Sequence, residues 1–514
     1  MEDFAMMGKP QTAEPKLFYH SIRLESRIPH GHPLRIIKQL IDFSFARSHV
    51  EHLYGKNGNI SVDPAVILKL MFLLFYENVK SERALMEYLP LRLDWLWFCG
   101  YDLDDNTPDH SVISKARRRW GPDVFAEFFA VILQQCLDAG LVDGQTVHID
   151  SSIIKANASK DSLRPQLKLL GQKFYAQLDE QAQPEEAAIN HNYPSDNKDE
   201  NQDNKDDQDN CLERRVSDTD PDARMVTKHG QSTLGYKDHR VVDDRCGIIT
   251  ATITTPANIN DEKLLKEAVE THRANTNTEV KMVATDKAYG VIDNYTYLHR
   301  HAITPCIPHK QHTNPNEELF GREQFSYDRQ RDCYICPAGN MLNRMRSNDA
   351  VQTLLYCIDR NVCQKCRYLS QCVKSEKFGR TISRKSGTEY MEWADTCLSK
   401  SQRRRLMARR KSKAEGSFAD ATNNHGFKRA RWRGIDKMLI QNLMIAAIQN
   451  LRKLLRYLGD SGLPAAKDAE NIAMVASIMH FTQRLRQYFR RYVSKYWFIR
   501  LMSRWSGVGG GYGV

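Results

Sequence analysis

The alternation of apolar and polar residues at positions 146–152 predicts a short strand. Val147 and Ile149 fall on one face of this strand, and the carboxylate of Asp150 lies at its end. A lone Asp after a strand is most often a turn or helix-cap residue. Asp150 becomes a candidate catalytic residue because of the elements that follow it along the chain.

Beyond Asp150 the hydrophobic pattern predicts the element order β-β-β-α-β-α-β. The strand expected at 281–285 ends at a second carboxylate, that of Asp286. If this strand lies beside the strand of Asp150, both carboxylates project from adjacent strand ends, where ligands commonly bind in sheets with crossover helices. The pattern thus predicts an α/β core. Its other elements are expected as strands at 234–242, 248–255 and 303–307, a helix beginning at Asp261 and a helix at 291–301.

The helical spacing of apolar residues predicts that residues 34–140 are wholly helical. Ser111 or Asp109 can cap one of these helices. We expect residues 1–140 to form a helical, DNA-binding domain, and the alternative is an ordinary surface helix with a solvated charge run. The cations expected to contact DNA in this domain are Arg117, Arg118 and Arg119.

Two segments interrupt the predicted core. The first, 179–214, is dominated by Asp, Glu, Asn and Gln, which predicts a mobile acidic loop. The second, 318–386, is rich in cysteine and contains two CxxC doublets. Paired doublets are typical of structural zinc, because each can place two thiolates on one tetrahedral ion. The alternative is a set of reduced packing cysteines. Six cysteines compete for four positions: Cys333, Cys336, Cys357, Cys363, Cys366 and Cys372.

The composition indicates which class of partner the protein binds and in which cellular compartment it works. The chain has 74 Lys and Arg residues against 63 Asp and Glu residues, a net charge of +11 that is concentrated toward the C-terminus and favours a polyanionic partner. The most apolar run, 65–76, is short and contains Lys69, and the N-terminus lacks a basic region followed by an apolar core. We therefore expect a cytoplasmic, nucleoid-associated protein without a membrane segment.

A third carboxylate, that of Glu415, follows a strongly basic stretch at 401–413. It is either part of a helix-surface ion pair, which contributes little to stability, or a metal ligand among cations that hold a phosphate backbone. A second basic stretch at 424–434 precedes a long helix. In this half of the chain, the cations expected to contact DNA are Arg409, Arg410, Lys411, Lys428, Arg429, Arg431 and Arg433.

Several stretches together resemble the bacterial insertion-sequence transposases of the DDE superfamily, over roughly residues 35–458. Two departures from the family pattern stand out. Ala288 replaces the Gly of many relatives, and the Tyr, Arg and Lys that often flank the Glu are Ala408, Lys411 and Thr422 here. The stretches that carry the resemblance are 81–85, 97–98, 109–111, 148–152, 156–159, 220–224, 235–237, 285–290 and 415–418, and the cysteine segment that begins at Cys336.

The resemblance implies a ribonuclease-H-like core in which three carboxylates hold two Mg²⁺ or Mn²⁺ ions for phosphodiester hydrolysis and strand transfer. Asp150 would bridge both ions, and Asp286 and Glu415 would each complete one site. The implied partners are double-stranded DNA, as terminal inverted repeats and as target, and a second copy of the chain in a homodimer. The cysteine spacing of the family implies one structural zinc on Cys336, Cys363, Cys366 and Cys372, with Cys333 the chief competitor for the first position.

The expected organisation has five parts, of which the last is a basic, aromatic C-terminal extension. Within it, residues 471–505 predict an amphipathic helix that packs on the core and turns its arginines to phosphate, and membrane binding is the alternative. The parts are expected at 1–140, 141–317, 318–386, 387–458 and 459–514.

Two other functions remain open. A nuclease on the same core would hydrolyse DNA without strand transfer, and a domesticated DNA-binding protein would lose an acid.

Overall fold

The chain divides into two compact units, described here from a computed structural model. Of the described residues, those between 23 and 74 and those at 79–116 form the first unit, and those at 75–78 and between 117 and 460 form the second. The acidic loop predicted at 179–214 and the helix predicted at 471–505 lie outside the described residues. The structure describes residues 23–55, 61–165, 215–228, 230–309, 319–345, 353–373 and 379–460.

The described N-terminal part of the chain forms helices joined by loops and contains no strand, which confirms the helical prediction for 34–140. In the first unit, the rings of Phe43, Phe72 and Phe98 lie 5.6 to 5.9 Å apart and form an aromatic centre. The helices are α1 (Leu24–Arg27), α2 (Pro33–Leu40), α3 (Phe45–Val50), α4 (Pro64–Tyr76), α5 (Glu82–Tyr88), α6 (Leu93–Cys99), α7 (Ser111–Trp120) and α8 (Asp123–Asp138).

The second unit is built around a six-stranded mixed sheet. Its strand order is β4-β5-β1-β7-β8. β6 lies off this path and pairs with β5 along the edge away from β1. β5 runs antiparallel to β1 and β6, whereas β1, β7 and β8 run parallel to one another. The strands of this region are β1 (Thr146–Lys155), β2 (Leu163–Pro165), β3 (Arg215–Ser217), β4 (Arg224–Lys228), β5 (Gln231–Asp243), β6 (Ile249–Pro256), β7 (Met282–Ala284) and β8 (Thr304–Cys306).

Helices α9 (Leu265–Thr276) and α10 (Ile292–Arg300) connect the later strands, so the predicted order β-β-β-α-β-α-β is confirmed, with β2 to β4 as additions. One face of the sheet packs on these two helices. Val147 and Ile149 of β1 are fully buried there, against apolar residues of α9 and α10. The alternation along β1 turns Asp150 to the opposite face of the sheet.

The cysteine-rich segment forms an antiparallel sheet of five strands in the order β13-β12-β11-β10-β9. It has an apolar cluster of its own, which contains Phe325, Leu342 and Ile382. Two short helices, α11 (Arg360–Gln364) and α12 (Leu369–Cys372), lie between its last two strands in the chain. The strands are β9 (Ser326–Asp328), β10 (Cys333–Ile335), β11 (Met341–Arg344), β12 (Thr353–Cys357) and β13 (Thr381–Lys385).

The chain then returns to the main sheet through helices. A capping box at Ser399 begins α14, and a π-helical turn, Lys411–Glu415, separates α14 from α15. None of the helices in the described part of the chain is both long and apolar enough to cross a membrane. The helices are α13 (Thr388–Thr396), α14 (Lys400–Arg410), α15 (Gly416–His425) and α16 (Ile435–Asp460).

Candidate active site

Asp150 lies inside β1 rather than at its end, which corrects the prediction. β1 continues to Lys155 because β5 keeps pairing with it that far, with Lys155 opposite Gly235. The parallel neighbour β7 pairs with β1 only as far as His148. Asp150 therefore lies just beyond the end of β7, where the sheet opens on one side of β1. Its side chain is 14% exposed.

Asp286 occupies the matching position after β7. His148 pairs with Ala284, so Asp150 and Asp286 each lie two residues past the last pair of the parallel ladder. Asp286 also begins the next turn, because its Oδ1 accepts a hydrogen bond of 2.9 Å from the backbone N–H of Ala288. The two strands are therefore neighbours, which meets the condition under which both carboxylates project from adjacent strand ends.

Glu415 reaches the same region from the π-helical turn. Nη1 of the buried Arg410 lies 3.1 Å from Glu415 Oε1 and 3.8 Å from Asp150 Oδ2, so one guanidinium group lies between the two acids. The extra residue of a π turn rotates the preceding helix relative to the following one. This turn explains why Arg410, five residues before Glu415, faces the acids and Lys411 is exposed.

The three carboxylates repel one another. The pKa of Asp150 is raised to about 6, mainly by burial and also by the charges of Asp286 and Glu415, against the opposing effects of Arg410 and of the backbone N–H of Ser151. Acids held together in this way favour a bound cation, and an all-oxygen set suits a hard divalent ion. Among the described residues, no three Cys, His, Asp or Glu side chains are already grouped closely enough to hold an ion.

A buried arginine that the sequence did not single out holds the helix after Glu415. Arg240 lies opposite Asp150 in the ladder of β1 and β5 and is fully buried. Its Nε donates to Asp238 Oδ2 at 2.7 Å. Its Nη1 donates to Gln449 Oε1 at 2.9 Å and to the carbonyl oxygen of Ser417 at 3.3 Å.

Aromatic rings complete the surroundings of this guanidinium group. The Cζ atom of Arg240 lies 4.6 Å from the ring centre of Phe418 and 4.9 Å from that of Phe427. β5 is thereby joined to both ends of α15. In the sequence, Arg240 and Asp238 are noticeable only as charged residues inside a predicted strand. That pattern does not reveal which residues they contact.

Two family models match the chain. Residues 22–119 match a transposase domain (DUF772), and residues 335–455, which include Glu415, match a transposase DDE domain. These two domain matches support a DDE-superfamily insertion-sequence transposase. They indicate a metal-dependent, DNA-cleaving enzyme that serves DNA transposition, and the mixed α/β structure is consistent with it.

No curated protein matches the whole chain significantly. Among solved structures, a cryo-EM structure of a piggyBac transposase synaptic complex with hairpin DNA matches at 12% sequence identity, over 90% of this chain and 82% of that chain. The TM-score of this match is 0.32.

One of the cations expected to contact DNA, Arg117, is packed inside the protein instead. Arg117 is buried, and its Cζ lies 3.8 Å from the ring centre of Trp432. This stacking makes Arg117 a packing residue in the second unit, which corrects its assignment as a DNA contact. Its neighbours Arg118 and Arg119 on α7 are exposed.

The other expected DNA contacts differ in their exposure and in their partners. Arg409 forms an ion pair of 2.6 Å with Asp244, which is also 2.8 Å from Nε2 of His148. Arg431 lies with its Cζ 4.8 Å from the ring centre of Phe75 and is half-buried. The exposed cations of this set are Lys411, Lys428, Arg429 and Arg433.

Four cysteines of the transposase line one small cavity in the cysteine-rich segment, together with apolar residues. The backbone N–H of Asn340 donates to Cys336 Sγ at 3.4 Å, and burial raises the pKa of the Cys372 thiol. Cys333 is buried in β10 and does not line the cavity. The cavity cysteines are Cys336, Cys363, Cys366 and Cys372.

Proposed function

We propose that this transposase moves its insertion sequence by cut-and-paste, through two-metal-ion hydrolysis and strand transfer on a ribonuclease-H-like core. The observation that carries the proposal is the matched offset of Asp150 and Asp286 past the parallel ladder, with Glu415 facing Asp150 across Arg410. The strand order β6-β5-β1-β7-β8, antiparallel in its first three strands and parallel in its last three, supports the proposed core.

The three acids would hold two Mg²⁺ or Mn²⁺ ions, with Asp150 shared between them and Asp286 and Glu415 each holding one. Such ions activate the attacking water or 3′-hydroxyl and stabilise the leaving oxygen. Arg410 lies against Asp150 and Glu415 and offsets part of their repulsion. Its guanidinium group is also placed to contact a non-bridging oxygen of the phosphate that these acids serve.

The substrate in this proposal is double-stranded DNA, as terminal inverted repeats and target, bound by a homodimer in the cytoplasmic nucleoid. Cations on several elements, all but Arg410 at least partly exposed, support it, because phosphate contacts supply most of the affinity for DNA. Arg117 is no longer part of this set. The proposed contacts are Arg118, Arg119, Arg409, Arg410, Lys411, Lys428, Arg429, Arg431 and Arg433.

A joining assay separates this proposal from a nuclease on the same core. The donor is a duplex with the inverted repeats that border the gene, and the target is a supercoiled plasmid, both incubated with the transposase and Mg²⁺. We expect excised donor and donor joined to plasmid. Cleavage without joined product would support a nuclease, and joined product without excised donor would contradict the cut-and-paste route.

We also propose that the cavity cysteines bind one structural zinc, because four thiols line one cavity and four is the number of ligands that a structural zinc takes. Elemental analysis of purified protein should find about one zinc per chain. The Cys336→Ser variant should lose most of the metal, whereas Cys333→Ser should keep it, since Cys336 lines the cavity and Cys333 lies outside it. Zinc retained by Cys336→Ser but lost from Cys333→Ser would favour the competing set, and folded protein without metal would contradict the zinc site.

A further inference from the structure

The segment that follows α15 returns to the outer end of β1. The backbone N–H of Lys155 donates to the carbonyl oxygen of Lys428 at 3.0 Å, and the N–H of Ala430 donates to the carbonyl oxygen of Lys155 at 2.8 Å. These bonds form a parallel bridge between Lys155 and Arg429. The backbone of Lys428 is thus fixed on the same strand that carries Asp150.

The side chain of Lys428 turns back along β1 toward Asp150. Its Nζ lies 2.7 Å from Oγ of Ser152. Ser152 is two residues after Asp150, so both side chains lie on one face of the strand, about 7 Å apart along it. This spacing is similar to the separation of neighbouring phosphates along one DNA strand.

The surroundings of Lys428 are suited to an anion. Within the described ranges, no carboxylate lies within 4 Å of its Nζ. Burial lowers the pKa of Lys428, and the nearby charges of Lys228 and Arg240 lower it further, with Asp150 opposing. A bound phosphate would relieve the repulsion among these cations. Lys155 and Lys228 are also exposed, so positive charge continues past Lys428 at this end of β1.

We infer that Lys428 and Ser152 bind a phosphate of the cleaved DNA strand, the one next to the scissile phosphate that lies at Asp150. This inference rests on the proposed function, because it takes the scissile phosphate to lie at the three acids. The ammonium group and the hydroxyl group can both donate to one phosphate oxygen. The pair fixes the register of the cleaved strand and takes no part in bond breaking, so both are positioning residues.

A cycle of protein and DNA changes tests the inference. The probe is a duplex of the inverted repeat that borders the gene, in which one phosphate at a time is replaced by a neutral methylphosphonate. Lys428→Ala should slow cleavage of unmodified DNA by about ten- to a hundredfold, as expected for a lost hydrogen bond to a charged group. On the duplex with a neutral phosphate adjacent to the cleavage site, the variant and the unchanged protein should cleave at equal rates.

Lys428→Arg keeps the charge and should restore most of the rate and the same coupling. Arg429→Ala is the matched control, because Arg429 is the next residue on this segment and carries the same charge. It should weaken DNA binding and lower its salt dependence without coupling to the adjacent phosphate. Circular dichroism melting of each variant checks that it folds.

Additive effects of Lys428→Ala and the adjacent methylphosphonate would overturn the inference, and so would coupling to a distant phosphate. Asp150→Ala on the same duplex keeps the two proposals distinguishable. If cleavage depends on Asp150 and Lys428 shows no coupling, the inference is wrong and the proposed function stands. If cleavage does not depend on Asp150, the proposed function itself is wrong.

Discussion

Replacement of Asp150, Asp286 or Glu415 by Ala is expected to lower DNA cleavage by about three orders of magnitude or more, while DNA binding stays largely intact. Cleavage depends on divalent ions that only the acids can hold, and such ions contribute several kcal/mol to transition-state stabilisation. Binding depends instead on Lys and Arg contacts to phosphates. Single-turnover cleavage of a labelled duplex and a filter-binding assay measure the two quantities separately.

Glu267→Ala is a suitable control for these variants. Glu267 is an exposed acid on α9, which packs on the face of the sheet opposite to Asp150. This variant should cleave and bind DNA like the unchanged protein. Near-normal cleavage by Glu415→Ala would show that Glu415 is not a ligand. Loss of DNA binding by the Asp150 or Asp286 variants would show that these acids support the structure as well.

The order of strands and helices in the core was predictable because each element has its own short hydrophobic pattern. The alternation that buries Val147 and Ile149 is local to β1. The place of Asp150 within β1 was not predictable in this way. It depends on how far β5 continues to pair, up to Gly235, and on the end of β7 at Ala284. These are pairings between distant parts of the chain.

The roles of the individual arginines depended on contacts that are distant in sequence or on local helix geometry. A basic run on a helix predicts surface charge, yet Arg117 is buried. It packs on the ring of Trp432, a residue more than 300 positions later in the chain. The family spacing before the Glu pointed to Lys411, but the π-helical turn brings Arg410 to Glu415 instead. A π turn has no clear pattern in a single sequence, so Arg410 appeared there only as one cation among many.

The buried pair of Arg240 and Asp238 carries the second large expected effect. Both side chains are fully buried, so removing one leaves the other charge without compensation in a low-dielectric interior. We expect Arg240→Met to destabilise β5 and α15 locally by about 3–5 kcal/mol. Hydrogen–deuterium exchange of amides in these two elements measures the free energy of local opening.

A double variant separates stability from positioning. Replacing both charges, as Arg240→Met with Asp238→Leu, should recover most of the stability, because apolar residues of similar volume often replace a buried ion pair at little cost. It does not restore the bonds from Arg240 to Ser417 and Gln449, which hold α15 beside Glu415. We therefore expect the double variant to be protected from exchange but still slow in cleavage, and to need more Mg²⁺ for half-maximal rate. Full cleavage at the ordinary Mg²⁺ requirement would show that Arg240 contributes to stability alone, whereas exchange that is unchanged in Arg240→Met would contradict the buried pair.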